Sequence, residues 1–213
     1  MIRIGTAGWA IPRAHAGGFS HTGSSLERYA SALNAAEINS SFHRPHRPST
    51  YERWAASVPD SFRFAVKLPR EITHNRRLAD SDGVLAAFLD AVGHLGAKLG
   101  PLLIQLPPSL AFEAGVAACF LEALRRRTGG PVVCEPRHAS WFEAEASRLL
   151  VEHRIARSAA DPARVPEAAL PGGWPGLRYH RLHGSPRMYS SEYGPDFLAG
   201  LSQELVASEA VET

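Results

Sequence analysis

Apolar residues along this chain fall into short, strand-length runs separated by longer stretches with helical spacing. IRIGTA at 2–7 opens on alternating apolar positions and runs into Gly8 and Trp9, which predicts a strand ending in a loop. A Gly-, Ser- and His-rich excursion follows at 10–24, then LERYASALNAA predicts a helix and AAEIN at 35–39 a second short strand. SFRFAVKLP at 61–69 predicts a third, stopped by Pro69. Between 82 and 99, Val84, Leu85, Phe88, Leu89, Val92, Leu95 and Leu99 mark one broad apolar side of a helix. PLLIQLPP at 101–108 reads as a buried strand followed by a helix at 113–127, and PVVCEPR at 131–137 as another followed by a helix at 142–153. RIARSAAD at 154–161 is a weaker strand signal and GLRYHRLHG at 176–184 a stronger one, with a short Ala/Glu-rich helix or tail at 197–213.

Seven strand candidates alternating with helices predict an α/β fold with a parallel sheet, and a TIM-barrel-like arrangement in particular. A complete eight-stranded barrel takes about 250 residues, with roughly 200 as the lower end. At 213 residues, the chain is expected to form one domain over 1–213. That domain should be a barrel that is either irregular or lacking its C-terminal strand–helix unit.

Polar residues recur where the apolar runs end: Glu37 and Asn39, Lys67, Gln105, Glu135 and Arg137, Asp161, then Arg181 and His183. In a parallel barrel these ends meet on one face, where loops build a pocket. Strand alternation groups Glu37 with Asn39, Glu135 with Arg137, and Tyr179 with Arg181 and His183. It turns His180 away, against a shared His180/His183 metal site. Two readings follow. Glu37, Glu135, Asp161 and His183 form an oxygen-rich divalent-metal site, or Glu135/Arg137 and Arg181/His183 make a metal-free polar site held by ion pairs and hydrogen bonds.

For acid–base chemistry, Glu135 and Glu37 are the paired carboxylates and His183 the proton-transfer partner. Lys67 can bind an anion, form a carbonyl adduct if desolvated, or simply pair with a carboxylate. Arg137, Arg181, Arg187 and GSP at 184–186 suit an anionic group. Trp9, Phe42, Trp141 and Tyr189 are candidates to wall the pocket, whereas Trp54, Phe62, Phe64 and Phe88 are assigned to the core.

Composition narrows these options. The 23 Lys and Arg nearly balance 21 Asp and Glu, for a net charge of +2, which gives no reason to expect a long polyanion as partner. HNRR at 74–77 and RRR at 125–127 read as solvated turn and helix-end charge, because no aromatic stacking platform is interleaved with them. Lys67 and Lys98 are the only lysines. Cys119 and Cys134 form no metal or disulfide pattern and are expected to be small buried packing residues. There is no 18-residue apolar run and no basic-then-apolar leader, so a cytoplasmic protein without membrane association is expected. GTAG at 5–8 is not GxGxxG, so no nicotinamide cofactor is expected, and neither a phosphate loop nor a GxSxG elbow is present.

AAEINSSFHR at 35–44 resembles the family known as domain of unknown function 72, also described as YecE-like. The likeness continues through FRFAVKLPREITHNRRL at 62–78, GPLLIQLPPS at 100–109, EPRHASWF at 135–142 and YHRLHG at 179–184, covering nearly the whole chain. The resemblance implies a TIM-barrel-like architecture with a polar site. It carries over Glu37, Asn39, Ser40, Phe42, Lys67, His74, Gln105, Glu135, Arg137, Trp141, Arg181, His183 and Gly184 as site positions. The chain departs from the family pattern at Pro136, where an aromatic is usual, and after Tyr193, where an Asn-rich strand usually follows.

The leading expectation is a small-molecule-processing protein acting on a phosphorylated or polyhydroxylated compound. Glu135 would serve as base or metal ligand, Glu37 and Asp161 would assist, and His183 would transfer a proton or bind metal. Trp9, Asn39, Lys67, His74, Gln105, Arg137, Trp141, Arg181 and Tyr189 would bind substrate. The alternatives are a metal-dependent phosphodiester hydrolase acting on nucleic acid and a noncatalytic ligand-binding or scaffold protein.

Overall fold

A computed structural model describes residues 1–209. Strands and helices alternate through most of it: β1 (Gly5–Ala7), α1 (Ser25–Ala30), β2 (Ala35–Ile38), α2 (Ser40–His43), α3 (Pro48–Ala56), β3 (Arg63–Lys67), α4 (Asp82–Gly93), β4 (Leu99–Gln105), α5 (Ala114–Arg127), β5 (Val132–Glu135) and α6 (Ala144–Glu152). The chain finishes with β6 (Ile155–Arg157), β7 (Ala159–Asp161), β8 (Gly172–Gly173), β9 (His180–Leu182) and α7 (Pro195–Glu209).

Strands β1 to β6 lie side by side in chain order, each parallel to the next, with β8 antiparallel on the outer edge of β6. Strands β6 and β7 are nearly continuous. The Ser158 amide still donates to Cys134 of β5 at 2.9 Å, while the Ala159 amide turns to the Tyr179 carbonyl at 2.9 Å, starting the parallel β7–β9 pair. Among the described residues no strand pairing joins β9 to β1, so the barrel is not closed by backbone hydrogen bonds there. At the opposite edge β1 and β2 run very close: a Cβ on Gly5 would stand 2.0 Å from the Ala35 carbonyl oxygen, so only glycine fits.

Alternation along the strands divides the molecule into two apolar layers. Ala36, Ile38, Phe64, Val66, Leu102, Ile104, Val132, Cys134 and Ile155 face outward and pack with Leu85, Phe88, Val92, Leu121, Leu124 and Leu150 of the helices. The inward residues Leu103, Val133 and Ala156 are fully buried and form a small plug inside the barrel, capped by Leu177 and Tyr179. Directly C-terminal to the plug the inward positions turn polar, at Lys67, Gln105, Glu135 and Arg181. The plug therefore sets the floor of the site.

Local chemistry explains where the helices differ from expectation. A capping box starts α1, with the Ser24 amide donating to Glu27 Oε2 at 2.6 Å and the Glu27 amide to Ser24 Oγ at 3.3 Å. The helix ends at Ala30 rather than running through Ala36, because Ala35–Ile38 is drawn into the sheet. Helix α3 was not predicted; Pro48 stands in its first turn, where proline fits, and Tyr51 is its buried anchor. Helix α4 stops at Gly93, and Leu99 already belongs to β4. On α5 the buried stripe is Ala117, Phe120, Leu121 and Leu124, which leaves Cys119 exposed, contrary to expectation. Cys134 is buried as expected, and burial pushes its thiol pKa well up. Residues 195–209 form a full helix, and the last four residues of the predicted 197–213 tail lie outside the described residues.

Two arginine motifs act as structural ties. Arg125 donates to the carbonyls of His153 at 2.6 Å, Gly130 at 2.7 Å and Arg154 at 2.7 Å, sewing the end of α5 to the end of α6. Arg127 pairs with Asp82 at 2.6 Å. Arg76 pairs with Glu71 at 2.9 Å, and Arg77 reaches the Ser109 carbonyl at 2.8 Å. Among the described residues no helix is long and apolar enough to cross a membrane.

Candidate functional site

The polar end of the barrel is organised around Arg181. Tyr179, just before β9, and Arg181 within it face inward, and Arg181, only 8% exposed, extends between the carboxylates of β2 and β5. Nη2 donates to Glu37 Oε1 at 2.7 Å and Nε to Glu37 Oε2 at 3.1 Å, a bidentate pairing, while Nη1 donates to Glu135 Oε2. Tyr179 donates its phenol to Glu37 Oε2 at 2.9 Å. Side chains thus link β9 to β2 across the side where backbone pairing stops.

Glu135, 2% exposed, is hydrogen-bonded on both oxygens. Oε1 accepts from Gln105 Nε2 at 3.0 Å and from Arg137 Nε at 2.8 Å, and Arg137 Nη2 lies 2.8 Å from the same oxygen. His183 Nε2 stands 3.8 Å from Oε2 and 3.4 Å from Arg181 Nη1. Burial alone would raise the Glu135 pKa. The neighbouring His183 and the charges of Arg181 and Arg137 outweigh burial and hold the carboxyl well below the usual range. Burial likewise opposes the charge of Arg181, but Glu135 and Glu37 more than compensate and raise its pKa. Burial and the Glu37 charge push the Tyr179 phenol well up, so it stays a donor.

Lys67, at the end of β3, stands apart from this locked network. Its Nζ lies 3.9 Å from the centre of the Phe42 ring, and no ion pair or hydrogen bond to Nζ occurs among the described residues. Burial, reinforced by Arg181, outweighs the attraction of Glu37 and Glu135 and brings its pKa down to about 8. Ser41 fixes the neighbouring turn: its Oγ lies 3.0 Å from the Ile38 carbonyl and 2.6 Å from the Lys67 carbonyl, which places Phe42 beside the lysine. His74 also packs on Phe42, 4.9 Å between ring centres, with Nδ1 2.8 Å from Thr73 Oγ1. Burial, then the charges of Lys67, Arg70 and Arg137, lower the His74 pKa.

Several buried polar atoms among the described residues lack hydrogen-bond partners. Asn39, two residues beyond Glu37, keeps Oδ1 buried without a donor, and so does Ser158 Oγ at the β6–β7 junction. A small cavity of about 20 Å³, room for a single water, is lined by Glu135, Arg137, His183, Arg164, Pro136 and Met188.

Of the residues anticipated from sequence, Glu37, Gln105, Glu135, Arg137, Arg181 and His183 come together, with Lys67 and His74 beside them. Asp161 does not join them. Ala160 lines the cavity, and alternation turns the Asp161 side chain to the other face, where its Oδ2 is buried without a partner, while its carbonyl accepts from the His183 amide at 2.7 Å in the pairing with β9. The four-residue metal set is therefore not assembled. Arg181 occupies the space between the two glutamates, and among the described residues no group of three or more His, Cys, Asp or Glu side chains could hold a metal ion.

Of the aromatic residues expected at the pocket, Phe42 stands beside Lys67 and His74, whereas Trp9, Trp141 and Tyr189 are placed elsewhere. Trp9 packs edge-on against Trp54 at 5.0 Å and Phe64 at 6.1 Å, with the outer core. Trp141 is 3% exposed and donates Nε1 to the Leu110 carbonyl at 3.0 Å. Tyr189 is 77% exposed and meets only the edge of this region, 5.7 Å from His183. Arg164 and Met188 were not anticipated, because they arrive from loops without a periodic signal. Tyr179 was legible as the inward neighbour of Arg181, but its bond to Glu37 spans 142 residues and has no local signature.

The family model described as "Protein of unknown function DUF72" matches residues 3–213. UPF0759 protein YecE of Escherichia coli strain K12 is 33% identical over 143 residues, 67% of this chain and 50% of that protein. UPF0759 protein YunF of Bacillus subtilis strain 168 is 26% identical over 183 residues, 80% of this chain and 64% of that protein. The chain thus spans about half the length of the YecE relative. A DUF72 family crystal structure from Enterococcus faecalis superposes with a TM-score of 0.79 at 20% identity, covering 99% of this chain and 85% of the other. One from Thermotoga maritima gives 0.72 at 22% identity, covering 99% and 88%. These likenesses show a shared fold, consistent with a TIM-barrel-like α/β architecture.

Proposed function

The chain belongs to the DUF72 family of proteins of unknown function, and from the charge balance at the open end of its barrel we propose that it processes a small anionic compound, phosphorylated or polyhydroxylated. The observation that carries this reading is the unmatched ammonium of Lys67. Two carboxylates, Glu37 and Glu135, face three cations, Arg181, Arg137 and Lys67, and the two arginines are the ones paired. The surplus positive charge belongs to Lys67, half-buried over Phe42. A ligand anion is the complement such a site lacks.

In this reading the Glu37–Arg181–Glu135 triad is scaffold. A carboxylate with both oxygens hydrogen-bonded and its pKa depressed is a poor proton acceptor near neutrality, so Glu135 anchors Arg137 instead of acting as the base. Lys67 and Arg137 hold the anion, and His183 and His74 are the groups in position to move a proton.

Thermal denaturation with inorganic phosphate, glycerol 3-phosphate, phosphorylated sugars and unphosphorylated glycerol tests the proposal. Saturating phosphate esters should raise the Tm, by about 2.7 kcal/mol of stabilisation at a hundredfold excess over Kd. Glycerol should not, and the effect should vanish in Lys67→Met and Arg137→Gln. An equal rise in both variants, or none with any phosphate ester, overturns the proposal. Binding without turnover across the panel would favour a noncatalytic ligand-binding protein.

A further inference from the structure

We infer that Lys67 is a nucleophile, and that the ligand it meets is an anionic aldehyde or ketone, which it captures as an imine at the mouth of the barrel. The inference rests on the anionic-ligand reading above and narrows its substrate class.

Geometry separates the two lysines of this chain. Lys98 is spent on structure: its ammonium donates to Asp60 Oδ1 at 2.7 Å and to the Val58 carbonyl at 3.3 Å. Lys67 is held in place without being neutralised. Its carbonyl is tied to Ser41, its amine rests on the Phe42 ring, and no carboxylate reaches ion-pair distance of Nζ among the described residues. The glutamates that could have paired with it are already engaged by Arg181 and Arg137. An amine so placed is anchored at its base, partly desolvated, and left without an ion-pair partner. That arrangement makes a lysine reactive toward carbonyls.

The electrostatics point the same way. A pKa of about 8 leaves on the order of a tenth of the amine neutral at pH 7, far more than an ordinary lysine. The protonated majority supplies the charge that attracts the ligand, and the neutral fraction reacts. The charge is not lost in the reaction, because the protonated imine is also a cation.

The chemistry balances with no further reagent. The Nζ lone pair bonds to the carbonyl carbon, and the C=O π pair moves onto oxygen, which takes up a proton from water. The amine nitrogen releases one of its protons, the former carbonyl oxygen departs as water, and a protonated C=N bond remains. Arg137, which lines the small cavity and whose charge is felt by Lys67, is the group assigned to hold the anionic part of the same molecule.

With only two lysines and one N-terminal amine, trapping is unambiguous. The full chain is incubated with dihydroxyacetone phosphate, glyceraldehyde 3-phosphate or unphosphorylated glyceraldehyde, then reduced with sodium borohydride and analysed by intact mass and peptide mapping. One reduced adduct per chain is expected on Lys67 with the phosphorylated probes, at least tenfold above the labelling of Lys98 or the N-terminus. Inorganic phosphate should suppress it, and Lys67→Arg should abolish it. No adduct on Lys67 with either phosphorylated probe, or equal labelling of all three amines, overturns the inference. The Tm response to inorganic phosphate, read separately, decides whether the anion-binding proposal falls with it.

Discussion

Arg181 and Glu37 lie 144 residues apart in the sequence, yet their side chains share two hydrogen bonds, at 2.7 and 3.1 Å, inside the barrel. The pair joins the last strand to the second where backbone pairing is missing, and the third member, Glu135, brings in the fifth strand. Removing the arginine leaves two buried carboxylates without their counter-ion. Arg181→Met is expected to cost about 3–5 kcal/mol in denaturant titration. Adding Glu37→Gln and Glu135→Gln should recover most of that loss, because the uncompensated charge goes with them. Arg181→Lys should rescue poorly, since an ammonium cannot span both carboxylates. A loss below 1 kcal/mol would show that the triad does not hold the barrel together.

Glu135 should set the acid limit of stability. Its folded pKa lies below the ordinary value of 4.5, so its stabilising contribution is complete above about 4.5 and is lost as pH falls through the depressed folded value. Glu135→Gln should flatten this acid limb, removing a pH-dependent contribution on the order of 2–3 kcal/mol between neutral pH and pH 2. Urea midpoints across that range give the comparison, and superimposable profiles for the two proteins would contradict it.

Lys67 should act with the same sign of slope but in a higher pH window, because its charged form is the one the fold disfavours. Its pKa is lowered from 10.5 to about 8, so the unfolded chain binds more protons between those values and stability rises with pH through that window. At pH 7 the site bears the full cost of the charged amine. Lys67→Met is therefore expected to be more stable than the native chain there, by about 1 kcal/mol after solvent screening is allowed for, with the gap closing by pH 10.5. A gap that widens with rising pH would contradict the placement of this amine.

The RRR run offers a test of structure against recognition. Arg125 satisfies three carbonyls at the ends of α5 and α6, so Arg125→Ala should lower stability by about 1–3 kcal/mol. Phosphate-dependent stabilisation of the folded variant should be unchanged. If Arg125→Ala removed ligand response without loss of stability, the arginine would belong to a binding surface instead.

Much of the architecture was legible because it depends on local pattern. Short apolar runs and helical stripes located the principal strands and most of the helices, and period-two spacing put Glu135 with Arg137 and Arg181 with His183 on shared faces. The pattern missed α3, where Pro48 and one buried tyrosine sufficed to start and anchor a helix with a weak apolar stripe. It also misplaced Cys119, since one apolar neighbourhood on a helix contains both buried and exposed positions. Trp141 looked like a pocket wall because large aromatics suit that role. Its indole is instead matched to the Leu110 carbonyl within the core.

What the sequence by itself determined is which residue types stand at the strand ends, because side-chain direction and strand length are properties of a few consecutive residues. Which of them meet was decided only by the tertiary structure. Glu37, Glu135 and Arg181 come from three distant strands, and nothing local specified that the arginine would take the place assigned to a metal. The half-turn that sends Asp161 away depends on the crossing of β7 from one neighbour to another. Lys67 is distinctive for the same reason: its lack of a partner follows from how the two arginines use the available carboxylates, a balance that exists only once the barrel has assembled.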